Sequence, residues 1–277
     1  RLRDFEQFSR EVFAQVIDPV PVIIACHNEQ RSLPVTLTAL ARQEQAVLPI
    51  VVDNDSTDRS AEIADRFGAR VLFEPRRGKM LALQRGILSV LDNPALSDRP
   101  LLFTDADTVM PAGWARHMAG QVSRRKDSMI TGLRIFNRAE KPAQLAINGM
   151  RTAYVMGKNV KRSMTRQTPV AVGQNMALSP LDRGPLGDAI LKLPNYWPCE
   201  DAAIRDEVLD NGGTVRLSYD RRSLTFTAGD RYGTVKAAGR RLLKGASCTV
   251  EQYDTLDTGA FVSRYDGKSR KRSNVGW

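Results

Sequence analysis

Cysteine and histidine are both scarce in this chain, which limits the metal and redox chemistry open to it. The three cysteines, Cys26, Cys199 and Cys248, have neither the spacing of metal ligands nor an obvious pairing. This usage is typical of a reducing compartment, where disulfides are rare. With only His27 and His117 in the sequence, a histidine-rich zinc site is nearly excluded.

Long apolar runs are also absent. No stretch approaches the roughly 20 apolar residues that span a bilayer, and no secretory leader is evident, so we predict no transmembrane segment and a cytoplasmic location. Residues 1–19 form a predicted leading segment with the apolar spacing of an amphipathic helix. We expect this helix to pack on the body of the protein, and a peripheral position at a membrane surface is the alternative.

Acidic residues are outnumbered by basic ones. The formal net charge of +10 favours an anionic partner, which could be a nucleotide, a nucleic acid or a membrane surface. Charge alone does not choose among these. At 277 residues and 42% hydrophobic content, the chain can bury a full core, as one large α/β domain or two small ones.

Apolar runs typical of strands alternate with helical patterns along the first part of the chain. This alternation predicts a Rossmann-like α/β architecture, with a mostly parallel central sheet flanked by helices. Ser32 is expected to cap a helix that buries Leu33, Leu37 and Leu40, and Gly68 should end the next helix. The predicted strands cover residues 20–25, 49–52 and 69–73 and the run that starts at residue 101.

Polar clusters follow three of these strands, at residues 27–29, 53–58 and 105–108. In parallel sheets, ligands bind at the carboxyl ends of the strands, near the point where the strand order reverses. The clusters therefore predict a nucleotide site, with Ser56 and Asp58 expected to cap the following helix instead. No G-x-G-x-x-G turn follows the first strand and no P-loop sequence occurs, which argues against a dinucleotide-binding fold and a P-loop protein.

Asp105 and Asp107 stand at the end of a buried apolar run. Because a bare carboxylate is costly to bury, both should lie just past the strand and face a crevice. Alternation along the chain puts them on the same side, where they can share one hard cation, and that cation could hold a diphosphate. A solvated turn is the alternative for this pair taken alone.

The order of the motifs resembles that of the family 2 glycosyltransferases of the GT-A fold. The matching segments are VPVIIACHNE, LPIVVDNDSTDRSAEIA, PRRGKMLALQRGI, LLFTDADTVMP, VGQNMAL and PCEDAAIRDEVLDNGG. The resemblance implies a nucleotide-sugar donor, Mn²⁺ or Mg²⁺, and transfer of one hexosyl or pentosyl group with inversion. It divides the chain into a nucleotide-sugar-binding half at 20–110, a smaller acceptor-side half with the catalytic base at 111–226, and a basic extension at 227–277. The Gln-x-x-Arg-Trp motif of processive members is absent.

The resemblance also assigns the donor site. Asp53 and Asn54 stand where the family has an Asp-Asp pair, one of which commonly receives an N–H of the base. Because an amide both donates and accepts, Asn54 leaves the base open, with a UDP-sugar expected first and a GDP-sugar second. Arg77 and Lys79 would offset the diphosphate charge, and Gly78 would let the backbone approach it closely. The other implied donor contacts are Ala25, His27, Glu29, Asp105, Ala106, Gly173 and Gln174.

The remaining roles concern the metal, the base and the acceptor. The resemblance makes Asp107 the better metal ligand, with Asp105 contacting the donor or reaching the metal through water. Asp201 is the candidate base, since an inverting transfer needs one carboxylate to take the acceptor proton. Glu200 is its neighbour or an acceptor contact, although acids at a helix start also act as caps. Implied acceptor contacts are Trp197, which could stack on a sugar face, and Asn175, within a predicted strand at 170–178.

Other functions stay open from the residues alone. A non-catalytic module that binds nucleic acid or glycan would explain the basic charge but not the acid pairs. A phosphatase of the haloacid dehalogenase type would require Asp-x-Asp-Gly-Thr, and a nucleotidylyltransferase would require an early Gly-rich loop. The acceptor is not identified, and a polyanion (DNA with a hydroxylated base, or an anionic lipid-linked or cell-surface glycan) is one expectation. It rests on the basic run at residues 268–272 and on Arg221, Arg222, Arg240 and Arg241.

Overall fold

A seven-stranded, mostly parallel sheet lies at the centre of the molecule, in the strand order β3-β2-β1-β4-β8-β6-β9. The computed structural model describes residues 2–15, 17–123, 128–138, 142–164, 168–169, 171–181, 184–195 and 200–228. The strands are β1 (Val20–Cys26), β2 (Val47–Asp53), β3 (Arg70–Phe73), β4 (Leu101–Asp105), β5 (Thr108–Val109), β6 (Ser128–Thr131), β7 (Arg134–Arg138), β8 (Met176–Leu178), β9 (Thr214–Leu217) and β10 (Thr225–Ala228). The helices are α1 (Leu2–Ala14), α2 (Leu33–Ala41), α3 (Ser60–Arg66), α4 (Lys79–Leu91), α5 (Trp114–Val122), α6 (Pro142–Met164), α7 (Pro185–Lys192) and α8 (Glu200–Asp210).

Helices cover both faces of the central sheet, which explains why its strands are apolar throughout. Val22 and Ile24 of β1 pack with α2, α3 and α5 on one face, whereas Ile23 packs with α4, α7 and α8 on the other. A strand buried on both faces reads as a continuous apolar run, as β1 does. The predicted α/β architecture is therefore confirmed.

The strand order reverses at β1, because β2 and β3 lie on one side of it and β4 on the other. β1 pairs in parallel with both β2 and β4, and β8 joins the sheet antiparallel to β4 and β6. A reversal of this kind opens a crevice at the carboxyl ends of the strands. The polar clusters predicted from the sequence follow β1, β2 and β4 and so meet at that crevice.

A second, three-stranded sheet has the order β5-β10-β7. β10 runs antiparallel to β5 and parallel to β7, and it continues through Ala228, past the predicted boundary at residue 226. α6 packs on β7. Since β5 begins one residue after Asp107, this small sheet connects the Asp-x-Asp turn to α6.

Several local predictions are confirmed and others are wrong. α1 packs on α2 and α3 as expected, and α3 ends just before Gly68, whose φ is +82°. Ser32 precedes α2, but its side chain makes no capping hydrogen bond; Glu29 O instead accepts the N–H groups of Ser32 and Leu33. The strand expected at 170–178 is limited to β8, because a turn occupies the residues before Met176. Within the described ranges, no helix combines the length and hydropathy needed to cross a bilayer.

Candidate functional site

The site lies at the carboxyl edge of β1, β2 and β4. In the parallel registers, Ala25 is level with Asp105 of β4, and Cys26 is level with Asp53 of β2. The ends of the three strands therefore stand side by side. The apolar strands fix this alignment, and the polar residues that follow them are brought together by it.

The loops after β1 and β2 are joined by hydrogen bonds. Ser56 Oγ accepts the N–H of Asn28 (3.0 Å), and Asn28 Oδ1 accepts the N–H of Thr57 (2.8 Å). Asp58 caps α3, since its Oδ1 accepts the N–H of Ser60 (2.9 Å). The capping role is thus confirmed for Asp58 and wrong for Ser56, which holds the two loops together instead.

His27 is fixed in one tautomer by this loop pair. Its Nδ1 lies 2.9 Å from Asn54 O and its Nε2 lies 3.2 Å from Asn28 Nδ2. A carbonyl oxygen only accepts, so Nδ1 donates and Nε2 accepts. Burial lowers the pKa of His27 from its ordinary value, which favours this neutral form. Glu29, also a predicted donor contact, is buried next to it, and its N–H donates to Ser60 Oγ (2.7 Å).

Asp53 and Asn54 differ sharply in their surroundings. Asp53 is 6% exposed, and its buried Oδ1 has no hydrogen-bond partner among the described residues. Asn54 is fully buried: its amide donates to Glu74 O (3.0 Å) and Arg76 O (2.7 Å), and its Oδ1 accepts the N–H of Gly78 (2.8 Å). This side chain holds the loop at residues 74–78, and the base contact implied for Asn54 stays a prediction.

Gly78 occupies a position that only glycine fits. Its φ is +152°, and a Cβ there would lie 2.0 Å from Asn195 Nδ2. Asn195 Nδ2 in turn donates to Arg77 O (3.1 Å), so residues from the second half of the chain close over this loop. The Arg77 guanidinium contacts Asp55, with Nη1 3.5 Å from Oδ2. The close approach predicted at Gly78 is thus made, in this structure, by Asn195.

Lys79 joins the two halves of the site. Its Nζ lies 2.8 Å from Asp105 Oδ1 and 2.8 Å from Glu200 Oε1, and the side chain is only 12% exposed. Burial disfavours the ammonium, but the two carboxylates outweigh this and raise the pKa of Lys79 above its ordinary value. Both of these short contacts go to protein carboxylates, a pairing that the sequence analysis did not predict.

Asp107 lies in the turn between β4 and β5. Burial and the neighbouring Asp105 carboxylate raise the pKa of Asp107 to about 7, against the opposing effects of Lys79 and Arg134. A carboxylate in this state gains from a further cation nearby. The other member of the motif, Ala106, turns its methyl group into the core, and its carbonyl accepts from Thr36 Oγ1 (2.9 Å). The donor contact implied for Ala106 stays a prediction, and the backbone of Ala106 would have to make it.

The carboxylates present would fit a divalent cation that is shared with a phosphate group. Among the described residues, no three His, Cys, Asp or Glu side chains form a group that could hold a metal by themselves. Mg²⁺ is usually held by one or two carboxylates together with substrate phosphates, so a protein cage of three ligands is not required. Asp107, with Asp105 beside it, provides that smaller set.

Asp201 faces the same crevice from the first turn of α8. Its Oδ2 accepts the N–H of Gly173 (3.1 Å) and its Oδ1 accepts the N–H of Ala202 (2.9 Å). Burial, followed by the adjacent Glu200 carboxylate, raises the pKa of Asp201 to about 6. A Cβ at Gly173 would lie 3.2 Å from Asp201 Cβ and 3.5 Å from Lys79 Nζ, so Gly173 touches both groups. Lys79 thus contacts Asp105 and Glu200, and its charge also acts on the carboxyl groups of Asp107 and Asp201, whose pKa values it lowers against the larger effect of burial.

Asn175 is a structural residue and not an exposed one. It is fully buried, its Oδ1 accepts from Trp114 Nε1 (2.9 Å), and its amide donates to Leu133 O (2.8 Å) and Ser223 O (2.6 Å). Its side chain thus joins three other segments of the chain, and the acceptor contact implied for Asn175 stays a prediction. Its neighbour Gln174 is buried as well, 3.4 Å from Thr227 Oγ1.

Some predicted positions lie outside the described residues, and one unpredicted residue enters the site. Trp197 lies in the undescribed segment 196–199. The undescribed segment 229–277 contains Arg240, Arg241 and the run at 268–272. Arg134, at the start of β7, is near enough to oppose the rise in the pKa of Asp107. No motif marks Arg134 in the sequence, because only the second sheet brings β7 close to the Asp-x-Asp turn.

Relatives are known for part of the chain. An uncharacterised glycosyltransferase of Mycobacterium tuberculosis is 37% identical over 117 residues, which cover 42% of this chain and 49% of the relative. The dolichyl-phosphate hexose transferase of Haloferax volcanii is 26% identical over 129 residues, covering 46% of this chain and 53% of that protein. The chain thus spans about half the length of the curated relatives it matches.

Comparison with solved structures and with protein families identifies the fold and the family. The glucosyl-3-phosphoglycerate synthase of Mycobacterium tuberculosis, solved with Mn²⁺ and UDP-Glc, has a TM-score of 0.55 at 15% identity, covering 92% of this chain and 85% of that one. This likeness agrees with the predicted GT-A fold. The profile of glycosyl transferase family 2 matches residues 22–180, more than half of the sequence. The chain therefore belongs to glycosyl transferase family 2.

Proposed function

We propose that this protein transfers a single hexosyl or pentosyl group from a nucleotide-sugar to an acceptor, with inversion at the anomeric carbon and in dependence on Mn²⁺ or Mg²⁺. The observation that carries the proposal is that Lys79 contacts one member of each acid pair, Asp105 and Glu200, at the point where the strand order reverses. An acid pair from the donor half meets an acid pair from the acceptor half there. The alternatives of a phosphatase and a nucleotidylyltransferase are set aside by the family membership.

The donor base is recognised through Asp53. Its buried Oδ1 is an acceptor without a partner among the described residues, and such a group gains from an N–H placed against it. Uracil and guanine both offer a ring N–H, so this contact suits UDP- and GDP-sugars alike. The UDP-Glc bound to the synthase of similar fold makes UDP-glucose the first donor to test.

The chemistry divides between the two acid pairs. Asp107, with Asp105 beside it, would hold Mn²⁺ or Mg²⁺, and that cation would neutralise charge on the diphosphate as it departs. Asp201 takes the proton of the attacking hydroxyl, because its raised pKa makes it a stronger base than an ordinary aspartate while it is still ionised near neutral pH. The N–H groups of Gly173 and Ala202 orient its carboxylate.

Lys79 acts as a positioning residue in this arrangement. By contacting Asp105 and Glu200 at once, it fixes the donor half against α8 and so sets where Asp201 stands relative to the sugar. We assign Lys79 this positioning role in place of the direct contact with the diphosphate that the resemblance implies. Within the part of the chain that the structure describes, Arg134 and Arg77 are basic candidates for the diphosphate.

Donor binding tests the proposal directly. UDP at ~100 times its dissociation constant, with Mn²⁺, should stabilise the protein by about 2.7 kcal/mol, a rise in melting temperature of roughly 5–10 °C. GDP and AMP serve as comparison ligands, and a chelator should remove the effect. UDP-glucose should also release UDP in the presence of the metal. If neither UDP nor GDP with metal shifts the melting temperature, and no sugar nucleotide is turned over, the proposal is wrong.

Lys79→Met should lower the rate of sugar transfer and leave the affinity for the nucleotide nearly unchanged. Without the ammonium, Glu200 and α8 lose their fixed position, and a misplacement of about 1 Å can cost on the order of 10²-fold in rate. We expect UDP release from UDP-glucose to fall by that amount, while the dissociation constant for UDP with Mn²⁺ changes only a few-fold. Lys192→Met, an exposed lysine at the end of α7, is the matched control.

The opposite pattern would favour the role implied by the resemblance. A large loss of UDP affinity in Lys79→Met, with the rate at saturating donor preserved, would make Lys79 a donor ligand. Lys79→Arg keeps the charge and should recover part of the rate only if the ion pairs matter.

A further inference from the structure

The long helix α6 (Pro142–Met164) turns an apolar face to solvent. Met150, Tyr154, Met156 and Val160 are 61%, 46%, 40% and 49% exposed. At 100° per residue these four side chains fall on one side of the helix. Gly149 and Gly157 lie on the same side, each with open space where a Cβ would stand.

The opposite side of α6 faces the body. Asn159 is buried there, and its carbonyl accepts from Tyr219 Oη (3.4 Å); Thr152 is half-buried on the same side. A helix on the surface of a globular domain normally turns its apolar stripe inward and its polar side to water, so exposed apolar side chains in such a row are unusual. The outward apolar face therefore calls for an apolar surrounding that the described residues do not supply.

The charges on α6 indicate what kind of surface would cover its exposed apolar face. Every charged residue between Pro142 and Met164 is basic, and neither Asp nor Glu occurs there. Lys158 Nζ lies 5.0 Å from the centroid of the Tyr154 ring, at the border of the apolar face, and Lys161 is exposed within this face, between the directions of Met150 and Tyr154 near the end of the helix. An exposed apolar face whose charged neighbours on the helix are only Lys and Arg is typical of helices that lie in the plane of an anionic lipid surface, where long basic side chains extend to the headgroups.

We propose that α6 docks on an anionic lipid bilayer, with Met150, Tyr154, Met156 and Val160 at the boundary between headgroups and acyl chains and with the lysines reaching the lipid phosphates. α6 packs on β7, and β7 is joined through β10 to β5, which begins beside Asp107. The bilayer would thus lie against the sheet that borders the carboxylate cluster. The docking does not depend on the proposed sugar transfer. Where both hold, they favour a lipid-linked acceptor.

Flotation with vesicles tests the docking on the full chain. The probes are vesicles of phosphatidylcholine alone and of phosphatidylcholine with about one-third phosphatidylglycerol, at low and moderate salt. The wild type should partition at least tenfold more strongly to the anionic vesicles, and added salt should weaken binding. The variant Met150→Ser/Met156→Ser/Val160→Ser should lose most of this partitioning while its melting temperature and its UDP affinity stay unchanged.

Two matched variants locate the effect. Phe5→Ser/Phe8→Ser removes exposed apolar side chains from α1, the other amphipathic helix, and Ile17→Ser/Phe73→Ser removes them from elsewhere on the surface. Both should bind vesicles as the wild type does. If the α6 triple variant does not fold, the single change Met150→Asp, at the most exposed of the four positions, provides the same comparison.

Three results would overturn the proposal. The first is equal binding of the wild type to neutral and anionic vesicles, or no binding to either. The second is loss of binding in the α1 variant with the α6 variant unaffected. The third is a wild-type dimer in light scattering that the α6 changes dissociate, without vesicle binding, which would make this face an interface between two copies of the chain.

Discussion

Asp201→Asn should lower the rate of sugar transfer by ~10²–10⁴-fold while the affinity for the nucleotide stays within a few-fold of the wild type. The amide keeps the shape of the carboxylate, but its single oxygen can accept only one of the two N–H groups of Gly173 and Ala202, and it cannot take the acceptor proton. Release of UDP from UDP-glucose measures the rate, and calorimetry with UDP and Mn²⁺ measures the binding.

The control for this variant lies on the same helix. Asp210→Asn changes an exposed carboxylate at the far end of α8 and should leave the rate unaltered. At saturating donor and metal, the wild-type rate should fall as the pH drops below about 6, because Asp201 must be ionised to act as a base. That dependence should vanish in Asp201→Asn. A far larger loss in Glu200→Gln than in Asp201→Asn would mean that the two roles are reversed.

Asp107→Ala should abolish the metal-dependent part of nucleotide binding and reduce turnover to the background of the reaction without metal. Asp107 is the carboxylate best placed to take a cation, since Lys79 already contacts Asp105. The melting temperature in the presence of UDP should no longer respond to Mn²⁺ or to a chelator. Asp65→Ala, at an exposed carboxylate on α3, is the control and should respond to both as the wild type does.

Asp107→Ala also tests how the Asp107 carboxylate affects the stability of the folded protein. The pKa of Asp107 is raised in the folded protein, so the folded state binds this proton more tightly than the unfolded state does. Ionised Asp107 therefore destabilises the fold above pH ~7, and this cost is absent below the unfolded pKa. Without nucleotide or metal, Asp107→Ala should thus be at least as stable as the wild type at pH 8. Full activity of the variant, or wild-type activity in excess chelator, would refute the metal assignment.

The sequence predicts where the site lies better than it predicts the role of each residue in the site. Asp53 and Asp105 follow apolar runs that the central sheet buries on both faces, so their position at its edge follows from hydrophobic pattern and chain order. The register of β1 with β2 and β4 then aligns them. These features depend on local patterns and on rules of sheet topology, which a single sequence contains.

A single sequence does not show which distant segments of the chain contact one another. Asn54 and Asn175 read as ligand contacts because both are polar residues in a predicted site, yet each holds backbone carbonyls of other loops. Lys79 reads as a diphosphate contact because the resemblance places a basic side chain at the donor there, and its partner Glu200 is far away in the sequence. An amide or an ammonium is equally suited to a ligand or to a buried neighbour. Only the packing of α4 against the second half decides between these roles.

Asn195 restricts which residues can replace Gly78, although the two positions are far apart in the sequence. The hydrogen bond from Asn195 to Arg77 O spans 118 positions, and the same Asn195 occupies the space that a side chain at position 78 would need. Position 78 is not free to change alone: a larger residue there requires a shorter one at 195 and a new backbone conformation in the loop. Position 195 can take a shorter residue beside Gly78, with loss of its hydrogen bond to Arg77 O. Among relatives that retain this loop, a larger residue at 78 should therefore occur only together with a shorter one at 195, and a graft that carries the first should be tolerated only when it also carries the second.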